Sequence, residues 1–253
     1  MGEPLVWLYA ITDSARGEST AGVQGLAGAP VRVVESGGLA AAVSTVDSAA
    51  FGEHALHRNL EDLDWVTSVA HVHDAVIRAF AENGAVIPLR LASIYSTDEH
   101  VRRLLNDRRA QISAALRLVR DRTEWGVRVH ASAKPDEVKP EPTTTGMDYV
   151  RRRQAQLSAQ EQAQRNIQKD AQAIHVALAS FAVAARTAAP RNTPLSERPG
   201  REILNGAYLV DDSRTDAFHQ AFHAQEQANG LLRLALTGPW PPYSFTTMAT
   251  APK

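Results

Sequence analysis

Hydrophobic and polar positions change period several times along the chain, and each change marks an element. Leu5-Val6-Trp7-Leu8-Tyr9-Ala10-Ile11 is a continuous apolar run and reads as a buried strand. Asp13 to Gly28 follows as a glycine-punctuated loop. Val31 to Glu35 and Leu39 to Ser44 then flank Ser36-Gly37-Gly38, the pattern of a hairpin whose turn needs φ > 0. From Glu53 to Asn83 the step lengthens to three and four: Leu56, Leu60, Leu63, Val66, Val69, His73, Val76 and Phe80 form one face of an amphipathic helix. Asn83-Gly84 ends it, because glycine readily takes a left-handed conformation. Val86 to Tyr95 returns to strand character, with Pro88 placing it at an edge or a bulge. Ser96 and Glu99 have capping-box spacing ahead of a second helix with core positions Val101, Leu104, Leu105, Ile112, Leu116 and Val119.

The second half repeats the alternation. Glu124 to His130 reads as a strand, and the proline- and charge-rich stretch Lys134 to Pro142 as a loop. From Thr145 to Ala188 nothing breaks a helix. Its middle, Ser158 to Gln172, is almost wholly polar, and the only apolar seam is Ile167, Ile174, Leu178, Phe181 and Ala185. A continuous helix of that length would reach about 60 Å, more than a domain this size can bury, so part must project or fold back. Pro190 to Gly200 is a loop, Ile203 to Val210 a strand, Thr215 to Asn229 a helix with Gly230 as its cap, and Leu231 to Leu236 a strand. This order predicts an α+β protein of two α+β domains. Residues 1–122 form the first. Residues 123–253 form the second, a modified ferredoxin-like unit with a long polar helical insertion and one strand missing or displaced.

The chain then reads Thr237-Gly238-Pro239-Trp240-Pro241-Pro242-Tyr243-Ser244-Phe245. Proline fixes φ and lacks an N–H, and it pushes the residue before it towards extended geometry. The segment is therefore an ordered tail, 239–253, that leaves its strand at Gly238. Trp240, Tyr243 and Phe245 need cover. Either they dock on the protein's own core, or they form a recognition surface for another chain.

Composition narrows the chemistry. The 253 residues carry a formal net charge of −1, so no long-range field favours nucleic acid or an anionic membrane. With no cysteine, thiolate catalysis, disulfides and cysteine-held metal are excluded. No apolar run reaches the roughly 20 residues that cross a bilayer, and the N-terminus lacks signal-peptide character. His54, His57 and Glu61 have local metal-site spacing, but His71, His73 and Asp74 lie about 21 Å further along a helix, so the histidines do not converge. Gly22, Gly25 and Gly28 precede a strand, the wrong context for a dinucleotide fingerprint. Arg151-Arg152-Arg153 lacks the broad basic footprint of a nucleic-acid surface. No catalytic residue, cofactor site or metal site is expected.

One resemblance joins these segments. Leu8-Tyr9-Ala10-Ile11, Gly38 to Ser44, Val86-Ile87-Pro88-Leu89-Arg90, Glu124 to Val129, Tyr208-Leu209-Val210 and Leu234 to Phe245 resemble, in order, the signatures of the gas-vesicle F/L family (GvpF/GvpL). After Arg90 that family usually shows an aromatic-Gly-Thr run, where this chain has Leu91-Ala92-Ser93. The resemblance implies a non-enzymatic, cytoplasmic, vesicle-associated assembly protein, a minor vesicle component. It would bind the hydrophobic shell protein GvpA and limit its aggregation during nucleation, with other gas-vesicle accessory proteins as further candidate partners. Arg90, Trp240, Tyr243 and Phe245 are then the candidates for partner contact or tail docking. The alternative is a small-molecule-sensing or enzymatic cytoplasmic α+β protein, since ferredoxin-like folds host many functions.

Overall fold

The computed structural model describes residues 2–14, 22–131, 146–189, 201–230 and 232–246. Residues 15–21 of the loop expected between Asp13 and Gly28, the loops Lys134 to Pro142 and Pro190 to Gly200, the helix start at Thr145 and the last residues of the tail lie outside them. The chain divides into two compact units, Met1–Glu124 with Pro239–Lys253, and Trp125–Gly238. The boundaries fall inside two strands. The tail therefore groups with the first unit, where its sequence position had assigned it to the second.

In the first unit, β1 (Pro4–Asp13) is the central strand. It pairs antiparallel with β3 (Leu39–Asp47) along its length, from Pro4↔Asp47 to Asp13↔Leu39. On its other side it meets β4 (Ile87–Pro88) and β5 (Ile94–Tyr95). The strand β2 (Arg32–Ser36) pairs with β3 at the far edge. Trp7 through Ile11 are all fully buried, so β1 shows no polar alternation. Gly37 and Gly38 take φ of 61° and 79° in the β2–β3 turn, the geometry the paired glycines predict. Pro88 sits on an edge strand, where its missing N–H costs no ladder bond.

The long helix expected over 53–83 is two pieces, α2 (Glu53–Asn59) and α3 (Leu63–Ala81), and a short α1 (Ser48–Phe51) precedes them. Asp62 causes the last break, since its carboxylate accepts from the N–H groups of Asp64 and Trp65 as an N-cap. Leu60 and Leu63, placed on the core face by spacing, are consequently exposed. The second helix also breaks, at Arg108, into α4 (Asp98–Asp107) and α5 (Arg109–Val119). Its N-cap is Thr97, one residue after the expected Ser96.

A buried polar chain crosses this unit's core. Trp7 Nε1 donates to His73 Nδ1 at 2.9 Å, and His73 Nε2 lies 3.1 Å from the Leu89 carbonyl. The imidazole is thus held neutral, with its proton on Nε2, and burial pushes its pKa down. Beside it, the Tyr9 hydroxyl bonds Ser44 Oγ and accepts from the Leu26 N–H.

The second unit runs β6 (Arg122–Ala131), α6 (Gly146–Ala179), β7 (Ala184–Ala188), β8 (Glu202–Asp211), α7 (Thr215–Ala228) and β9 (Leu232–Trp240). Its sheet order is β7-β8-β6-β9. This is the complete βαββαβ arrangement of a ferredoxin-like unit, so no strand is missing. The supposed gap was β7, hidden in what reads as helix. Ser180 Oγ donates to the Ala177 carbonyl, the Val183 N–H reaches Leu209, and the chain then pairs from Ala184↔Leu209 to Ala188↔Asn205.

Helix α6 is long and polar as expected. From Arg151 to Asp170 every residue is exposed except Ile167, which is half-buried. Only its last turns enter the core, through Ala171, Ile174 and Leu178, which join Trp125, Val127, Tyr208 and Phe218. Tyr208 is fully buried, 2.9 Å from His175 Nδ1, and burial raises its phenol pKa well above the ordinary value.

Candidate functional site

The tail forms a compact, tightly bonded turn on the first unit. The strand β9 does not end at Gly238; that glycine takes φ 131° and the strand continues to Trp240. The prolines then impose the turn. Tyr243 N–H reaches back to the Pro241 carbonyl at 2.7 Å, and Phe245 N–H and Thr246 Oγ1 both donate to the Pro242 carbonyl. Pro241, Pro242, Phe245 and Thr246 are buried and act as the anchor.

Two carboxylates fasten this turn. Glu124, only 6% exposed at the start of β6, accepts from Ser244 N–H at 2.8 Å and from Ser244 Oγ at 2.6 Å. Asp74, on α3, divides its two oxygens. One accepts from Arg78 Nε at 2.6 Å, and the other accepts from the Tyr243 hydroxyl at 3.0 Å. Arg78 in turn lies 5.1 Å from the centre of the Trp240 ring, a cation–π contact. Burial, together with the Asp74 carboxylate, pushes the Tyr243 phenol well above its ordinary pKa, so it remains a donor at physiological pH.

The outcome is an aromatic platform with a rigid base. Trp240 and Tyr243 remain 39% and 38% exposed even though both are held from below. Of the four residues singled out in the sequence, Trp240, Tyr243 and Phe245 lie on this one turn, with Phe245 buried at 6% exposure. Arg90 stands apart. It is exposed just after β4, and its carbonyl accepts from Ser93 Oγ in a tight turn. Sequence reasoning missed Asp74, Arg78 and Glu124. The first two carried a signal, an acid four residues ahead of a base on one helix face. Glu124 carried none.

Among the described residues, no three His, Asp or Glu side chains are placed to hold a metal ion. Glu61 lies beyond the end of α2, off the helix that carries His54 and His57. No helix among the described residues is long and apolar enough to cross a membrane.

Comparison with known proteins is consistent along the whole length. Residues 5–247 match the family described as gas vesicle synthesis protein GvpL/GvpF. Gas vesicle protein L of Streptomyces sp. (strain CB03234) is 36% identical over 251 residues, covering 97% of this chain and 94% of that protein. Gas vesicle protein F of the same strain is 30% identical, covering 85% and 87%. The fold matches the crystal structure of GvpF from Anabaena sp. PCC7120 with a TM-score of 0.67 at 18% identity, covering 98% of each chain. GvpF from Microcystis aeruginosa gives 0.65, also at 18% identity, covering 96% of this chain and 99% of that one. A two-unit α+β chain carrying these matches from β1 to the aromatic tail belongs to the GvpL/GvpF family of gas vesicle synthesis proteins.

Proposed function

We propose that this protein is a non-enzymatic assembly factor that binds the hydrophobic shell protein GvpA and limits its aggregation during vesicle nucleation. It would act in the cytoplasm and remain associated with gas vesicles as a minor component. Family membership supplies the gas-vesicle role. The observation that carries the finer reading is the aromatic platform. Half-exposed tryptophan and tyrosine side chains, pre-positioned on a hydrogen-bonded base, lose little entropy on binding and are enriched where proteins recognise apolar partners. A shell subunit with an unpaired apolar face needs such cover until it polymerises. Arg90 and Phe245 take subordinate parts in this reading, Arg90 as an exposed contact and Phe245 as the anchor that holds the platform in place.

Co-expression with GvpA tests it. The soluble fraction of GvpA should rise with the wild-type protein. It should fall back towards the level without the protein when Trp240→Ala and Tyr243→Ala are combined. Shell protein that is equally insoluble with and without the wild type overturns the function. Shell protein kept equally soluble by the double variant overturns the platform's part in it.

A further inference from the structure

We infer that Asp74 is the positioning residue of the aromatic platform. One of its oxygens sets Tyr243 and the other sets Trp240 by way of Arg78, so the two rings meet a partner as one unit. The inference rests on the platform's part in shell-protein binding. It adds the feature that the platform takes, two apolar side chains placed to cover both rings at once.

The contacts form a continuous path. Tyr243 donates its hydroxyl to Asp74 Oδ1 at 3.0 Å, and Arg78 donates from Nε to Asp74 Oδ2 at 2.6 Å. The Arg78 guanidinium carbon then lies 5.1 Å from the centre of the Trp240 ring. Asp74 and Arg78 stand one turn apart on α3, the spacing at which an acid and a base meet on one helix face. Both carboxylate oxygens are thereby used, each tied to a different ring. No direct ring contact joins Trp240 to Tyr243 among the described residues. Side-chain coupling between the two therefore runs through the ion pair.

Two observations separate this role from plain support of the fold. The turn has its own anchors, Glu124 holding Ser244 and the Pro242 carbonyl holding Phe245 and Thr246, and none of them involves Asp74. An ion pair whose side chains are 47% and 32% exposed also contributes little to stability by itself. What the pair fixes is the orientation of the rings. Rings already held in place lose less freedom when a partner covers them. The carboxylate and the guanidinium offset each other, so apolar side chains can cover the rings without leaving either charge unpaired.

Fluorine NMR of the full chain labelled with fluorotryptophan tests the coupling directly. The chain has four tryptophans, and the Trp240 signal is the one lost in Trp240→Phe. That signal should move in Tyr243→Phe, which keeps the ring and removes only the hydroxyl, and in Asp74→Asn and Arg78→Met. The other tryptophan signals and the melting temperature should stay nearly unchanged. Affinity for GvpA is the second readout. In the wild-type background, the combined loss from Trp240→Ala and Tyr243→Phe should differ from the product of the single losses by at least about threefold. In the Asp74→Asn background the two losses should simply multiply. The inference is overturned if the Trp240 signal ignores both Tyr243→Phe and Asp74→Asn. It is equally overturned if the non-additivity is absent from the wild type or survives Asp74→Asn. A wild-type chain that does not bind GvpA at all overturns the shell-protein reading instead, and the fluorine signal then decides the coupling alone.

Discussion

His73 occupies a position that helical spacing assigns to the apolar face of α3, and the structure buries it there with both ring nitrogens engaged. Protonation would put a hydrogen on Nδ1, directly against the Trp7 indole N–H that it accepts. Burial lowers the folded-state pKa, with the Leu89 carbonyl and Asp74 opposing. The unfolded chain therefore takes up the proton first as pH falls. Stability contributed by His73 is complete above about pH 6.5 and is lost as pH drops from there towards the folded value. Urea midpoints at pH 7.5 and 5.5 should accordingly drop further in the wild type than in His73→Gln, and equal drops would refute this account. Gly25 makes a second test. A Cβ there would run into the Tyr9 hydroxyl and Ser44 Oγ, groups that are bonded to each other. Gly25→Ala should cost about 1–3 kcal/mol in a denaturant titration, although its φ of −95° suits alanine. Spacing showed that His73 is inside but not why. Its partner Trp7 is 66 residues away, and a single side-chain pair at that separation leaves no periodic trace.

Among the elements, α6 divides sharply into an exposed length and a short buried end. The polar stretch 158–170 touches too little of the core to gain from packing, and an unsupported helix of polar residues is marginal in water. Amide exchange should be fast there and slow from Ala171 to Leu178; uniform strong protection along the helix would count against this division. Ile174→Ala should cost about 2–5 kcal/mol because its side chain is 1% exposed. Leu157→Ala, at 44% exposure, should stay within about 0.5 kcal/mol. The polarity of α6 was legible because exposure and composition carry the same information. Strand β7 was not. Ala184-Ala185-Arg186-Thr187-Ala188 consists mostly of good helix formers, and only the ladder to β8 makes it a strand. The same limit applied at 60–62, where one capping aspartate outweighed an unbroken apolar repeat.

At the scale of the molecule, the first unit is assembled from both ends of the chain. The α+β class could be read from the alternation of periods, but this closure could not, since Glu124 and Ser244 are joined by contact alone. Truncation after Thr237 should therefore destabilise the first unit. It removes the buried Phe245 and takes both Ser244 donors from a buried carboxylate, a loss of about 2–5 kcal/mol. A truncated chain that melts with the wild type would refute this. The arrangement also sets a timetable for biosynthesis. Roughly 115 residues separate Glu124 from Pro239. At about 5–20 residues per second the ribosome needs some 6–23 s to make them. Throughout that interval the nascent first unit lacks its closing piece, so an interrupted translation product never displays Trp240 and Tyr243. Only chains elongated past Phe245 can close the first unit and present Trp240 and Tyr243 on it.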